Sequence, residues 1–140
     1  MAEAATLIMV VDDDFDALEI IRHILEARGY RTRCFLDPME ALQQMAAEKP
    51  RLVVTDLMMK ALDTGFSFSR QIKFDPRYRE IPIILITAAL SMRGLDLQPR
   101  TPKDLERMGI DAFFDKPVVA GELVAKVEEL LHRRGKEPER

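Results

Sequence analysis

Four apolar runs in this 140-residue chain stop at side chains that can handle a cation and a phosphoryl group. Leu7-Ile-Met-Val-Val11 runs into Asp12-Asp13-Asp14, and Leu52-Val-Val54 into Thr55-Asp56. Ile83-Ile-Leu-Ile86 runs into Thr87, and Ala112-Phe-Phe114 into Asp115-Lys116-Pro117. Carboxylates gathered without a cation repel one another, and a divalent ion relieves that repulsion. A few oxygen ligands with room for water suit magnesium better than zinc. With a cation in place, a lone carboxylate becomes a plausible nucleophile for phosphoryl transfer. A hydroxyl (Thr87) and an ammonium (Lys116) are of the type that covers charge on the transferred oxygens. Each residue alone has a plainer reading: Asp14 as a helix cap, Thr87 as a strand end, Lys116 as a solvated lysine. Their conjunction, each ending a different apolar run, points to a shared phosphate and metal site.

Such a conjunction requires elements that bring the four ends together. The chain alternates strand and helix patterns. Strands are expected at Leu7–Val11 (β1), 30–35 (β2), 52–56 (β3), Ile83–Thr87 (β4) and 112–114 (β5). Helices are expected at about 14–28 (α1), 37–47 (α2), up to Phe74 (α3), 101–108 (α4) and 120–132 (α5). Asp14 caps α1, whose Leu18, Ile21, Ile24 and Leu25 share a face before Gly29 stops it. Asp37-Pro38 opens α2, and Thr101-Pro-Lys-Asp104 opens a short α4 that Gly109 ends. Leu123, Val127, Leu130 and Leu131 face inward on α5, and 133–140 is a charged, frayed tail. This alternation gives an α/β class: a doubly wound five-stranded parallel sheet with flavodoxin-like strand order 2-1-3-4-5 and helices on both faces. In that order the carboxyl ends of the strands share one crevice.

Length predicts one domain over 1–140, with a core of about 7–131. Apolar residues form 47% and charged residues 32%, an ordinary globular mixture, and the net charge of −3 argues against direct nucleic-acid binding. Cys34 is the one cysteine, so no internal disulfide can form, which fits a reducing compartment. It reads as a small core residue. His23 and His132 read as surface or packing residues. An acidic start and Asp12 within the first apolar stretch argue against a secretory signal, and no stretch is long enough to span a membrane. The expected location is the cytoplasm.

The motifs Val-Val-Asp12-Asp13-Asp14, Val-Val-Thr-Asp56-Leu-Met-Met, Ile-Leu-Ile-Thr87-Ala and Phe-Phe-Asp-Lys116-Pro117 together resemble those of the receiver domain of bacterial response regulators, from about Leu7 to Leu131. The resemblance implies that Asp56 accepts a phosphoryl group from a sensor histidine kinase or phosphotransfer protein. It implies Mg2+ held by Asp13, Asp56 and the Met58 backbone carbonyl, with Asp12 acting mainly through water. Lys116 would pair with the phosphoryl group. Thr87 and Phe113 would be the switch residues, and Lys116-Pro117 a cis peptide. A downstream protein would read the α4-β5-α5 face. The domain would signal without being an enzyme, beyond gaining and losing its own phosphoryl group.

Three features depart from the family pattern. Lys60-Ala61 replaces the usual proline and glycine, in a loop one residue longer. The 87–116 stretch is several residues longer than usual and holds Gly94, Pro99 and Pro102, which puts family-typical binding through the α4 face in question. Met58 and Ala89 cannot orient a hydrolytic water, so a long-lived aspartyl phosphate is expected. Two other readings stand beside this one. One is a receiver-like docking module that takes no phosphate. The other is a haloacid-dehalogenase-like phosphatase with Asp12 as nucleophile and Asp14 as acid. Against the latter, no aspartate follows Lys116 and there is no room for a cap domain. No output domain is visible, whether because the receiver stands alone or because it belongs to a longer polypeptide.

Overall fold

The computed structural model describes residues 5–56, 64–87, 103 and 109–136, with side chains for 5–56, 68–86, 103 and 109–132. Its strands are β1 Leu7–Val11, β2 Arg31–Phe35, β3 Leu52–Thr55, β4 Ile83–Thr87 and β5 Ala112–Asp115. Its helices are α1 Phe15–Glu26, α2 Pro38–Ala47, α3 Thr64–Phe74 and α5 Ala120–Lys136. The expected α4 and the long 88–102 stretch fall outside the described residues, Lys103 and Gly109 apart.

All four pairings are parallel, and the order is β2-β1-β3-β4-β5, as the alternation implied. Every residue of β1 and β3 is buried, which explains why these strands read as unbroken apolar runs. Side chains alternate between two cores. Met9, Val11, Val53, Ile83 and Leu85 pack with Ala41 and Met45 of α2 and Phe68 and Ile72 of α3. Ile8, Val10, Leu52, Val54, Ile84 and Ile86 pack with Leu18, Ile21 and Leu25 of α1 and Leu123, Val127 and Leu130 of α5. The period-two alternation of strand side chains thus supplies both faces of the sheet.

Local signals set the ends of the helices. The Asp14 carboxylate accepts from the backbone N–H of Asp16 (3.0 Å) and Ala17 (3.5 Å), capping α1. At the far end Tyr30 N–H reaches Leu25 O (3.2 Å) while Gly29 turns through φ +91°, an ending that glycine adopts without a Cβ penalty. Asp37 caps α2 through Met39 N–H at 3.0 Å. Two details differ from the sequence reading. Val124 is buried on α5 beside the expected Leu123, while Ile24 and Leu131, half-buried, pack against the core that Leu18, Ile21, Leu25, Val127 and Leu130 share. Helix α5 continues four residues past His132, so 133–136 is not a frayed tail.

One polar clip pins the amino ends of β4 and β5. Asp111 Oδ2 accepts from Ile83 N–H (2.8 Å) and from Lys73 Nζ (2.9 Å). Lys73 Nζ also donates to Ile81 O at 3.0 Å, tying the end of α3 to the start of β4. Removing the carboxylate takes the acceptor from the Ile83 N–H and the counter-charge from Lys73, which keeps only its carbonyl contacts. Asp111→Ala is expected to cost about 2 kcal/mol in urea unfolding and Lys73→Met about 1 kcal/mol. Because one oxygen serves both contacts, the double variant should cost clearly less than the sum, and strict additivity would contradict the shared clip.

Candidate functional site

The strand order reverses between β1 and β3, and the crevice at that switch point is where open parallel sheets place their sites. Asp12 follows β1 and Asp56 follows β3, each held by the ladder: Asp12 N–H donates to Phe35 O and Asp56 N–H to Val11 O, both at 3.1 Å. The Thr55 hydroxyl, buried beneath, donates to Asp56 O at 3.3 Å. Both carboxylates are buried, Asp12 at 2% and Asp56 at 5% exposure. Lys116 follows β5, two strands from β3, and its stem carries the ammonium past the end of β4. Its Nζ donates to Asp56 Oδ2 (2.8 Å) and Asp12 Oδ2 (3.0 Å). Asp12 Oδ1 accepts the Asp14 N–H at 2.9 Å. The peptide joining Lys116 to Pro117 is cis.

The electrostatics follow from burial and proximity. Desolvation pushes the Asp12 carboxyl from 3.8 to about 6, and the neighbouring Asp56 charge adds to the rise. The Asp14 N–H and Lys116 oppose it without cancelling it. For Lys116, burial pulls the ammonium down, but the hydrogen bonds and charges of Asp56 and Asp12 outweigh burial and hold it above the ordinary lysine value.

The structure therefore brings together Asp12, Asp56 and Lys116. Asp13 lies beside them in sequence with its side chain exposed. Among the described residues, no three acidic, imidazole or thiol side chains converge closely enough to hold an ion by themselves. The donor set nonetheless fits magnesium, which is held by one or two carboxylates and completes its shell with water and phosphate oxygens. Phe113 is half-buried, packed against the core on the α2 and α3 face. Thr87 ends β4 opposite Asp115 of β5, but its side chain lies outside the described set, as do Met58, Lys60 and Ala89. The direct grip of Lys116 on Asp12 was not legible in the sequence, where the lysine was assigned to the phosphoryl group and Asp12 to water. The signal that could have found it is the need of two buried carboxylates for a cation. Cys34 is half-buried, and burial raises its thiol, which fits an unreactive packing residue. His23 and His132 are exposed and far in sequence from this cluster.

The family model for the response regulator receiver domain matches residues 8–128. This chain belongs to that family. Response regulator MprA of Mycobacterium ulcerans (strain Agy99) is 34% identical over 130 residues, covering 90% of this chain and 50% of that protein. The chain thus spans about half the length of the curated relatives it matches. The signal receiver domain of a signal transduction histidine kinase from Syntrophus aciditrophicus is 31% identical with a TM-score of 0.74, covering 95% of this chain and 93% of that one. A CheY-like response regulator receiver domain protein from Methanospirillum hungatei JF-1 shares the fold, with a TM-score of 0.79 at 24% identity over 96% of this chain and 99% of that one. This is a receiver domain of two-component systems, a signalling family and not a family of catalytic enzymes. Among the described residues no helix is long and apolar enough to cross a membrane.

The raised Asp12 carboxyl has a measurable consequence. A carboxyl whose folded value exceeds its unfolded one makes the fold less stable as pH rises between the two, from about 4 to about 6, and the full cost remains above. With divalent metal chelated, Asp12→Asn should raise the melting temperature by about 3 °C or more at pH 7.5 and by nothing below about pH 4. An equal gain at both pH values would show that charge is not the cause.

Proposed function

We propose that this receiver accepts a phosphoryl group on Asp56 in a magnesium-dependent reaction and passes the signal to a protein partner. The observation that supports this most is the convergence of Asp12 and Asp56 on the Lys116 ammonium at 3.0 and 2.8 Å. Two buried carboxylates at a switch point, sharing one cation, form a site ready for a second cation and an anion. Bound magnesium would neutralise charge on the transferred oxygens and on the carboxylates. Asp12, Asp56, the carbonyl of Met58 and a rotated Asp13 would hold it. An Asp56 oxygen attacks phosphorus as the bond to the donor's imidazole nitrogen breaks, giving an aspartyl phosphate. Lys116, released from one carboxylate, turns to the new phosphoryl oxygens. Thr87 supplies a hydroxyl donor and Phe113 moves with it, altering the β5 surface that a downstream protein reads.

The phosphodonor is a protein on this reading, a sensor histidine kinase or a phosphotransfer protein, met in the cytoplasm. Asp56 is reached from the carboxyl ends of the strands, and large apolar side chains are exposed around that edge. Phe15 opens α1 at 61% exposure, and Val119 stands just before α5 at 57%. Exposed apolar groups beside a polar site support a protein donor on this reading. The phosphatase alternative loses its acid, because the Asp14 carboxylate is engaged as the α1 cap. The side chains of Met58 and Ala89 cannot orient a hydrolytic water, so on this reading the phosphoryl group is long-lived.

Intact mass after incubation with magnesium and acetyl phosphate tests the central step. One phosphoryl adduct is expected, absent without magnesium and in Asp56→Asn. No adduct on the native chain would favour a docking module that takes no phosphate, and an adduct lost in Asp12→Asn but kept in Asp56→Asn would favour the phosphatase arrangement. Phe15→Ala with Val119→Ala should slow transfer from the protein donor about tenfold or more while leaving acetyl phosphate labelling unchanged. Equal slowing of both would place the effect in the site and not at a docking rim.

A further inference from the structure

Phe74, the last residue of α3, is 82% exposed, more than any other large hydrophobic side chain among the described residues. It lies at the opposite edge of the sheet from Asp56, since the end of α3 leads to the amino end of β4. Arg70, one helical turn earlier, shares its face. Together with Gln71, Asp75 and Pro76 these two residues line an open depression.

The segment that carries this depression is net positive. Between residues 70 and 80 the chain carries four basic and two acidic residues, although its net charge overall is −3. Neighbours already engage two of the four basic groups. Lys73 is held by Asp111 and by the carbonyl of Ile81. Arg77 is held by Asp75 at 2.8 Å and stacks on the Tyr78 ring at 4.7 Å. That same pair neutralises Asp75, whose carboxyl the Arg77 hydrogen bonds hold below the usual range. Arg70 and Arg79 are exposed, and their guanidiniums have no carboxylate partner among the described residues. An exposed aromatic ring, with two guanidiniums nearby in the chain that meet no carboxylate among the described residues, is the composition of an interface centre, where aromatic and arginine side chains are enriched.

We propose that the carboxyl end of α3 is a docking surface for an acidic segment of a partner protein, with one large apolar side chain set over Phe74 and carboxylates meeting Arg70 and Arg79. Charge complementarity selects the occupant: the net positive 70–80 segment on a chain of net charge −3 favours an acidic segment and disfavours a second copy of this chain. Because the surface lies away from the carboxyl ends of the strands, its occupant leaves Asp56 open, so a bound partner and a phosphodonor can be held at once.

The test is amide chemical-shift mapping of the full chain with a synthetic twelve-residue peptide of alternating glutamate and aspartate around a central Leu-Phe pair. Shifts are expected across 70–79 and not at Asp12, Asp56 or Lys116, with a dissociation constant of roughly 0.1 mM. Phe74→Ser and Arg70→Glu, both at exposed positions, should each weaken binding by about fivefold or more with melting temperatures unchanged. Absence of shifts at millimolar peptide would overturn the proposal. So would equal binding of the Gln/Asn version of the peptide, unchanged affinity in both variants, or stronger binding of a DNA duplex to the same residues.

Discussion

Two carboxylates buried side by side need a cation, and the rest of this molecule is arranged around supplying one. Unit charges about 5 Å apart repel by about 3 kcal/mol at an effective dielectric of about 20, before any desolvation cost is counted. Lys116 meets that need by donating to both Asp12 and Asp56. It does so from β5, while the carboxylates come from β1 and β3, so the ion triad holds only if all three intervening strand registers are correct. The register in turn depends on the alternation of apolar side chains into two separate cores, because a one-residue slip would turn every core side chain to the wrong face.

Stability and function pull against each other here. Burial raises the Asp12 carboxyl, and Asp56 raises it further. Replacing such buried charges often stabilises a fold, so their presence marks a site whose purpose is not stability. The same imbalance makes the site receptive. Lys116 alone balances only one of two negative charges, and a divalent ion would complete the balance and free the lysine for an incoming phosphoryl group. The opposite edge of the sheet is treated differently. There Lys73, Asp111 and the Ile83 and Ile81 backbone form a satisfied clip, which keeps the amino ends of β4 and β5 together. One edge is tied, and the other holds an incomplete set of charges.

Much of this was legible in the sequence. The strands could be read because β1 and β3 are buried on both sides, so their apolar runs are unbroken, and Asp14, Gly29 and Asp37-Pro38 marked helix ends through local chemistry alone. The sheet order followed from the alternation of elements and the handedness of crossovers. Contacts between residues distant in sequence were not legible. Nothing local reveals that Lys73 meets Asp111, or that Lys116 grips Asp12 as well as Asp56. Helix faces were legible to within one residue: the apolar side of α5 is wider than Leu123, Val127, Leu130 and Leu131, since Val124 is buried as well. The end of α5 was misplaced because a charged stretch can be either solvated tail or final turn, and the helix dipole favours the turn.

The most direct test of the account is a calorimetric magnesium titration of the native chain, Lys116→Met and Asp12→Asn. If Lys116 is the resident cation that magnesium must displace from the carboxylates, Lys116→Met should bind magnesium about tenfold more tightly than the native chain, and Asp12→Asn more weakly. Unchanged or weaker magnesium binding by Lys116→Met would contradict the view that charge balance between Asp12 and Asp56 organises this site.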